Sequence, residues 1–332
     1  MQLINDTLST LSLSTPQAFS NLAVFPLVAD VAGDADYLVL DEALTRKVAR
    51  VTEVSAGGSV PELSFENDAD VGVLLLDGEE LVGARQNRVL NVTVLVGGHR
   101  KVVIPVSCVE QGRWHYNSDE FASVDRALFM KARANKARRV SASLRDNGTF
   151  RSDQQEVWSD IASKSAAFSA RSETGAMGDV FEQQKVRLNE YVRAVSTVPG
   201  QRGAVFAIDG KVVGLEIFDS PGTFARYLPK LVRSYAMDAA ETAKPETMLP
   251  VEDVVRKFIE EMMAAATESF RAVGEGENVR IESEAIAGGA LVHDERVIHL
   301  AAFKMEGRGS VRVRRAPMRR NSVRPAGGES QS

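Results

Sequence analysis

The chain is poor in the residues that build disulfides and transition-metal sites. It has one cysteine, Cys108, and four histidines in 332 residues, which excludes an internal disulfide framework and a cysteine-rich zinc site. None of the spacings HxxxH, HxH or CxxC occurs, so we expect no dedicated transition-metal centre. No apolar run approaches about 18 residues, so we expect no membrane span. The first 19 residues lack the basic start and long apolar stretch of a signal peptide, and we therefore expect a cytoplasmic protein.

Three common signatures of nucleotide-binding and hydrolytic enzymes are also missing. The sequence contains no Walker loop, no GxGxxG and no GxSxG motif, so it does not indicate a P-loop, a Rossmann or a hydrolase-elbow protein. Its 44% hydrophobic and 26% charged residues are typical of a soluble globular protein. The length suggests one large or two ordinary domains, with enough chain to bury a full core.

Charge is distributed unevenly along the chain. Residues 307–332 contain seven arginines and one glutamate, whereas the net charge of the whole chain is −5. The body before this tail is therefore strongly acidic, which argues against general nucleic-acid binding by the fold. Nucleic acid remains an option only for the tail, whose Arg, Gly, Pro and Ser content predicts disorder.

The first part of the chain has strand patterns separated by tight turns. Val48–Val54 alternates apolar and polar residues, and Arg88–Val96 is rich in β-branched residues, so each predicts one strand. Lys101–Cys108 predicts another, and Asp77-Gly78 and Gly97-Gly98 are turn signals. Short turns between strands favour a mostly antiparallel sheet or sandwich.

The second part mixes helices and strands. Ser152 and Gln155 have the spacing of a helix-starting capping box, and a helix is also predicted from Asp179. Further helices are predicted over Pro221–Ala243 and from Pro250 through Phe270. Strands are predicted in a hairpin over 203–218 and over 279–286 and 290–303. The fold class is therefore α+β, with an antiparallel β-rich half followed by an α+β half that has three to four amphipathic helices.

Four regions follow from these patterns. Residues 1–20 predict an N-terminal arm, 21–116 a β-rich region that carries a polar motif, 117–306 an α+β region, and 307–332 a disordered tail. The middle two regions are either two domains or one continuous domain.

Three carboxylates in the polar motif are candidates for acid/base chemistry. Glu79 and Glu80 follow the Asp77-Gly78 turn, and Glu110 follows the Lys101–Cys108 strand. In a strand, Glu79 and Glu80 would point to opposite faces, but in a turn both could line one cleft. They would then act as catalytic groups or as oxygen ligands for Mg²⁺. The alternative is that they pair with nearby arginines or backbone N–H groups.

The same motif contains candidate ligand-binding side chains. An arginine can donate two hydrogen bonds to a phosphate, amides suit ribose hydroxyls and base edges, and a tryptophan can stack on a base. These candidates are Gln86, Asn87, Arg88, Asn91, Arg113 and Trp114. The alternative interpretation is a buried polar network that holds the loop against the sheet.

Cys108 is a weaker candidate for a nucleophile. A reactive thiol needs a lowered pKa from nearby basic groups, and Glu110 opposes this. Free cysteines are also among the most frequently buried residues, which favours a core position. Asp153, Gln154 and Trp158 lie at the start of a predicted helix, where an anion could bind, although an acidic residue suits this helix end equally well.

Several segments resemble one protein family. They are GEELVGARQNRVLN followed by IPVSCVEQGRW, then SDQQEVW at 152–158 and VFAIDGKVVGLEIFD at 205–219. They are similar to the bacterial proteins named for their association with ADP-ribosylglycohydrolases and rhodanese-like phosphatases. The resemblance implies an association with ADP-ribose and NAD-derived metabolites, and it carries no catalytic residues over to this chain.

Two functions from different classes follow. The first is the binding or processing of a nucleotide or ADP-ribose-like small molecule at residues 79–114. The second is a non-enzymatic interaction or scaffold protein in which that motif is a structural hydrogen-bond network. Both leave open whether the protein is an enzyme and whether it forms homo-oligomers.

Overall fold

A computed structural model describes residues 1–30, 33–55, 57–114, 118–242 and 249–305. The predicted Arg-rich tail at 307–332 lies outside these residues. None of the helices that the described residues form is both long enough and apolar enough to cross a membrane.

Helices and strands are present in similar proportion in the described chain. The helices are α1 (Gln2–Ser9), α2 (Leu40–Thr45), α3 (Met130–Asn147), α4 (Gln154–Ala167), α5 (Met177–Gln183), α6 (Lys185–Arg193), α7 (Pro221–Thr242) and α8 (Glu252–Met263). The strands of the first half are β1 (Ser12–Leu13), β2 (Gln17–Phe19), β3 (Leu22–Val28), β4 (Tyr37–Val39), β5 (Ala49–Glu53), β6 (Glu62–Asn67), β7 (Gly72–Leu75), β8 (Glu79–Gly83), β9 (Arg88–Leu90), β10 (Val94–Val96), β11 (Arg100–Cys108) and β12 (Phe121–Ala127). Those of the second half are β13 (Gln201–Ile208), β14 (Lys211–Phe218), β15 (Ala266–Arg271), β16 (Glu277–Glu282), β17 (Ile286–His293) and β18 (Arg296–Lys304).

A nine-stranded antiparallel sheet forms the larger layer. Its order is β1-β3-β13-β14-β18-β17-β16-β15, with β2 also paired to β3. The helices α1 and α8 pack on one face, where Ile4, Leu8 and Phe258 join its apolar side chains. The helices α3 and α7 cover the other face. The hairpin of β13 and β14 turns at Asp209 and Gly210, both with positive φ, as the sequence predicts.

The second layer is a small six-stranded barrel. Its strands follow the order β12-β8-β9-β11-β6-β5, and a bridge between Thr52 and Glu120 brings β5 back to the start of β12. Apolar side chains including Val51, Phe65 and Leu90 fill the barrel core. The helix α2 precedes β5 and packs against β5 and β12. The C-terminal ends of β5, β8 and β11 therefore lie together at the end of the barrel opposite α2.

A three-stranded sheet, β10-β7-β4, joins the two layers. β7 pairs parallel with β4 and antiparallel with β10. The prediction of one strand over Arg88–Val96 is therefore wrong, because this segment leaves the barrel after Leu90 and continues in another sheet as β10. Periodicity within the segment carries no information about which sheet each part joins.

Two other predicted elements have different bounds. The helix that begins after Pro250 ends at Met263, and Ala266–Arg271 forms the edge strand β15 instead. The predicted strand 290–303 is a hairpin that turns at Asp294 and Glu295, both with positive φ. In each case a few apolar residues fit helix and strand spacing equally well, and pairing with a neighbouring strand decides the outcome.

The α+β class and the strand-rich first half are confirmed. The predicted regions are interleaved in space. Residues 1–20 form α1, β1 and β2, and both short strands pair with β3. In turn, β3 from the first region lies beside β13 from the second, and β12 completes a barrel begun by β5.

Candidate functional site

The strand ends opposite α2 bring the polar motif together. On β11 and β9, Cys108 lies directly opposite Arg88. Glu53 on β5 pairs with Leu63 on β6, and Leu63 pairs with Ile104 on β11. Ile104 and Cys108 are an even number of residues apart on β11, so their side chains share a face. Because alternate residues share a face, Glu53, Arg88 and Cys108 all point into the barrel at this end. We call this end, with the neighbouring Arg85 and Trp114, the barrel mouth.

Arg88 is the unusual group of the barrel mouth. Its side chain is 0% exposed, yet Nη1 donates only to neutral oxygens, Gln86 Oε1 at 3.1 Å and the Asn87 carbonyl at 3.5 Å. Its Nε and Nη2 have no hydrogen-bond acceptor among the described residues. Burial lowers the pKa of Arg88. Since buried arginines are normally paired with anions, an unpaired guanidinium here is costly.

Trp114 lies over the same guanidinium. The carbon at the centre of the Arg88 guanidinium is 5.8 Å from the centre of the Trp114 ring, and the corresponding Arg85 carbon is also at 5.8 Å. Trp114 is 47% exposed. An aromatic ring that is open to solvent beside two arginines can stack on a planar ligand group.

Glu53 is a residue of the barrel mouth that the sequence patterns did not indicate. Both of its carboxylate oxygens are buried, and neither accepts a hydrogen bond from a described residue. It is close enough to Arg88 and Cys108 to raise the pKa of each through its charge. The alternating pattern of β5 was its only signal, because that pattern makes Glu53 the last residue of a half-buried strand.

Cys108 is held in a neutral hydrogen-bonded position. Its thiol donates to Gln86 Oε1 at 3.0 Å, and burial raises its pKa to about 11. Gln154 at the start of α4 bonds to the Cys108 backbone twice, accepting from N–H and donating to C=O, both at 2.8 Å. The helix cap is Asp153, which accepts from two backbone N–H groups, so the prediction of Ser152 as the cap is displaced by one residue.

Asn87, Glu110 and Arg113 form an internal network beside the mouth. Arg113 donates to Glu110 Oε2 at 2.7 Å and to Asn87 Oδ1 at 2.8 Å. The other Glu110 oxygen accepts from Thr174 at 2.9 Å. All three predicted site residues are buried, and hydrogen bonds join Arg113 to the other two. They support the shape of the mouth.

Glu79 lies apart from this network, whereas Glu80 is near enough to Glu110 for the charge of Glu110 to raise its pKa. They begin β8 and so point to opposite faces, with Glu79 bonded to Lys230 and Glu80 to Arg126. Both are fully buried, and burial raises their pKa values above the usual range despite these cations. Asn91 also lies elsewhere, between Ser107 and the Phe150 carbonyl. The structure therefore brings Glu110, Gln86, Asn87, Arg88, Cys108, Arg113 and Trp114 together but not Glu79 or Asn91. Glu80 lies beside this group, with its carboxylate paired to Arg126.

A cluster of buried charges between the two layers was not predicted. Arg133 on α3 bonds to Glu216 on β14, and His299 on β18 bonds to Glu216 and Thr93. Lys136, also on α3, bonds to Asp77. Asp77, Thr93 and His299 of this cluster line a cavity of about 20 Å³, which is room for a water molecule. Arg133 and Lys136 lie among alanines on α3, and this pattern was the available signal.

Larger cavities lie away from the barrel mouth. One of about 450 Å³ lies between α3 and the β13–β14 hairpin, and one of about 440 Å³ lies beside Trp158. Within the described ranges, no group of three or more His, Cys, Asp or Glu side chains is placed to hold a metal ion.

The family resemblance is confirmed by comparison with known proteins. The profile of the ARG and Rhodanese-Phosphatase-superfamily-associated Protein domain matches residues 10–303, most of the chain. No curated protein and no solved structure matches the chain. The matched span includes all six strands of the barrel and the whole of its mouth. The chain therefore belongs to the ARG and Rhodanese-Phosphatase-superfamily-associated Protein domain family.

Proposed function

We propose that the chain binds a phosphate-bearing small molecule of the nucleotide or ADP-ribose class at the barrel mouth. The observation that carries this proposal is Arg88, whose buried guanidinium has two nitrogens without acceptors in the described chain. An anionic ligand would supply both acceptors and the missing negative charge. Arginine is well suited to this, since its planar fork matches two phosphate oxygens.

Trp114 is the residue that favours a nucleotide over other phosphate-bearing ligands. A half-exposed ring beside Arg85 and Arg88 lets a base stack while a phosphate meets the arginines. The mouth of a small barrel is also a common place for a ligand site. The supporting network of Glu110, Arg113 and Asn87 holds the surrounding loop in one conformation, which lowers the entropic cost of binding.

The test is calorimetric titration of the purified protein with ADP-ribose, NAD, ADP and inorganic pyrophosphate, each with and without Mg²⁺. Mg²⁺ is included because it commonly binds through phosphate oxygens. We expect at least one of these probes to bind wild type. We expect Arg88→Met to weaken its affinity at least about 10-fold, through the loss of roughly one charged hydrogen bond. We expect Trp114→Ala to weaken the affinity of the nucleotide probes by about 10-fold, through the loss of stacking on the base.

Arg280→Met is the matched control. Arg280 is also buried, but its guanidinium bonds to Ser141, Asn278 and the Ala137 carbonyl, away from the mouth. This variant should lose stability and keep its affinity for the probe. If Arg88→Met and Arg280→Met lower stability alike and neither changes binding, Arg88 is structural and the proposal fails.

The second candidate is a non-enzymatic interaction protein. It is favoured by the internal bonding of Glu79, Glu110 and Arg113, since these groups already have protein partners. Under this proposal none of the probes binds, and Trp114→Ala weakens association with a protein partner. Co-purification of a partner with wild type but not with Trp114→Ala would support it.

A further inference from the structure

We infer that Glu53 recognises hydroxyl groups of the ligand, so that the barrel mouth selects ribose-containing phosphates over phosphates without a diol. This inference rests on the proposed function and names the substrate class of the same site. It assigns a role to a residue that lies 35 positions from Arg88 in the chain and that the two hypotheses drawn from the sequence do not include.

The first support is the hydrogen-bonding state of Glu53. A carboxylate offers about four acceptor positions, and the two oxygens of Glu53 are buried without a donor from the described residues. Burying a carboxylate without donors is energetically unfavourable. A ligand with two hydroxyl donors would remove this cost, because each oxygen would then accept a charge-assisted hydrogen bond.

The second support is that unpaired hydrogen-bond donors and unpaired acceptors lie at the same end of the barrel. Glu53 and Arg88 point into the same barrel end, and the charge of Glu53 acts on Arg88. No direct ion pair joins them among the described residues. Nε and Nη2 of Arg88 therefore lack acceptors while both oxygens of Glu53 lack donors among the described residues. A ribose phosphate supplies both, with phosphate oxygens as acceptors and the 2′ and 3′ hydroxyls as donors.

The surrounding backbone keeps the Glu53 carboxylate in position. Gly58 has φ +74°, and a Cβ added there would lie 3.4 Å from Glu53 Oε2 and 3.0 Å from Arg85 Cδ. The backbone of Gly58 therefore lies against the side chains of Glu53 and Arg85. An acidic side chain that accepts from ribose hydroxyls is an established means of recognising nucleotides in other folds.

The experiment compares three probes by calorimetry: ADP, 2′,3′-dideoxy-ADP and inorganic pyrophosphate. Wild type should bind ADP at least about 10-fold more tightly than dideoxy-ADP, because a lost charge-assisted hydrogen bond is worth roughly that factor. Glu53→Gln should bind ADP and dideoxy-ADP with similar affinity. It should bind pyrophosphate at least as well as wild type, since a negative charge near the phosphate site is removed.

Glu62→Gln is the matched control, because Glu62 begins the neighbouring strand β6 and its carboxylate pairs with Arg151 at 3.8 Å. It should keep the preference for ADP. If wild type binds ADP and dideoxy-ADP equally well, the role of Glu53 is overturned while the proposed function stands. If neither nucleotide nor pyrophosphate binds wild type, this inference is overturned, and the proposed function falls as well if ADP-ribose and NAD also fail to bind. The wild-type comparison decides the matter even if Glu53→Gln does not fold.

Discussion

Arg133 and Glu216 form an ion pair of 2.6 Å in which neither side chain is exposed to solvent. Arg133 lies on α3 and Glu216 on β14, so the pair connects the helix layer to the centre of the large sheet. Burial disfavours both charges, but their mutual attraction outweighs it, so the pKa of Arg133 is raised and that of Glu216 is lowered. Both groups are therefore charged at neutral pH.

Breaking this pair should destabilise the fold strongly. Arg133→Met or Glu216→Gln should each lower the free energy of unfolding by about 3 to 5 kcal/mol, because each leaves a buried charge without its partner. The double variant should lose less than the sum of the two, as urea denaturation of all four proteins would measure. Arg145→Met, which removes a surface pair with Glu282, should have a much smaller effect. Additive losses would contradict direct coupling between the two residues.

The same cluster should make the protein sensitive to acid. The pKa values of Asp77 and Glu216 are lowered because nearby cations outweigh the effect of burial. A carboxylate with a lowered pKa stabilises the fold above its unfolded value of about 4, and this stabilisation is lost as the pH falls below that value. The urea midpoint of wild type should therefore fall steeply below about pH 4. The slope should be smaller for Glu216→Gln, and an unchanged slope would exclude Glu216 as a source of the acid sensitivity.

Cys108 should be inert in the native protein. Its pKa is raised to about 11, and the side chain is fully buried. At pH 8 a thiol-specific disulfide reagent should react more than about 100-fold faster in urea than with native protein, because only the thiolate attacks the reagent. The colour released by the reagent measures both rates. Rapid labelling of folded protein would show a reactive thiol and would restore Cys108 as a candidate nucleophile.

Gln154 should contribute to stability by joining α4 to β11. Its amide satisfies both backbone groups of Cys108, and Gln154→Ala would leave them without these partners. We expect a loss of about 1 to 3 kcal/mol in the free energy of unfolding. Gln155→Ala is the control, because Gln155 is the next helical residue and its side chain is exposed. Equal effects of the two substitutions would mean that helix propensity, rather than the bonds to Cys108, is being measured.

The sequence predicted part of the barrel mouth. Gln86, Asn87, Arg88, Glu110, Arg113 and Trp114 lie within one stretch of polar residues between apolar strands, and the structure groups them at one barrel end. Closeness in the sequence was enough to predict this grouping, because β8, β9 and β11 are adjacent strands in the barrel. Glu53 was missed, since its proximity to Arg88 depends on closure of the barrel through β5 and β12.

The buried face of the helix α3, by contrast, could not be predicted from the sequence pattern. Its buried face includes Arg133 and Lys136, which a hydrophobic pattern counts as solvent-exposed. These charges are buried because Glu216 and Asp77, distant in sequence, lie against them. Hydrophobic periodicity cannot detect a face whose burial depends on charge compensation from other elements.

The sequence by itself determined the α+β class, the hairpin at Asp209-Gly210 and the family to which the chain belongs. Each depends on short-range features, namely alternation, turn residues and contiguous motifs. Only the tertiary structure decided the closure of the barrel, the division of Arg88–Val96 between two sheets and the meeting of Glu53 with Arg88. These depend on pairing between distant strands, and such pairing is set by how the whole chain buries its apolar faces and compensates its buried charges.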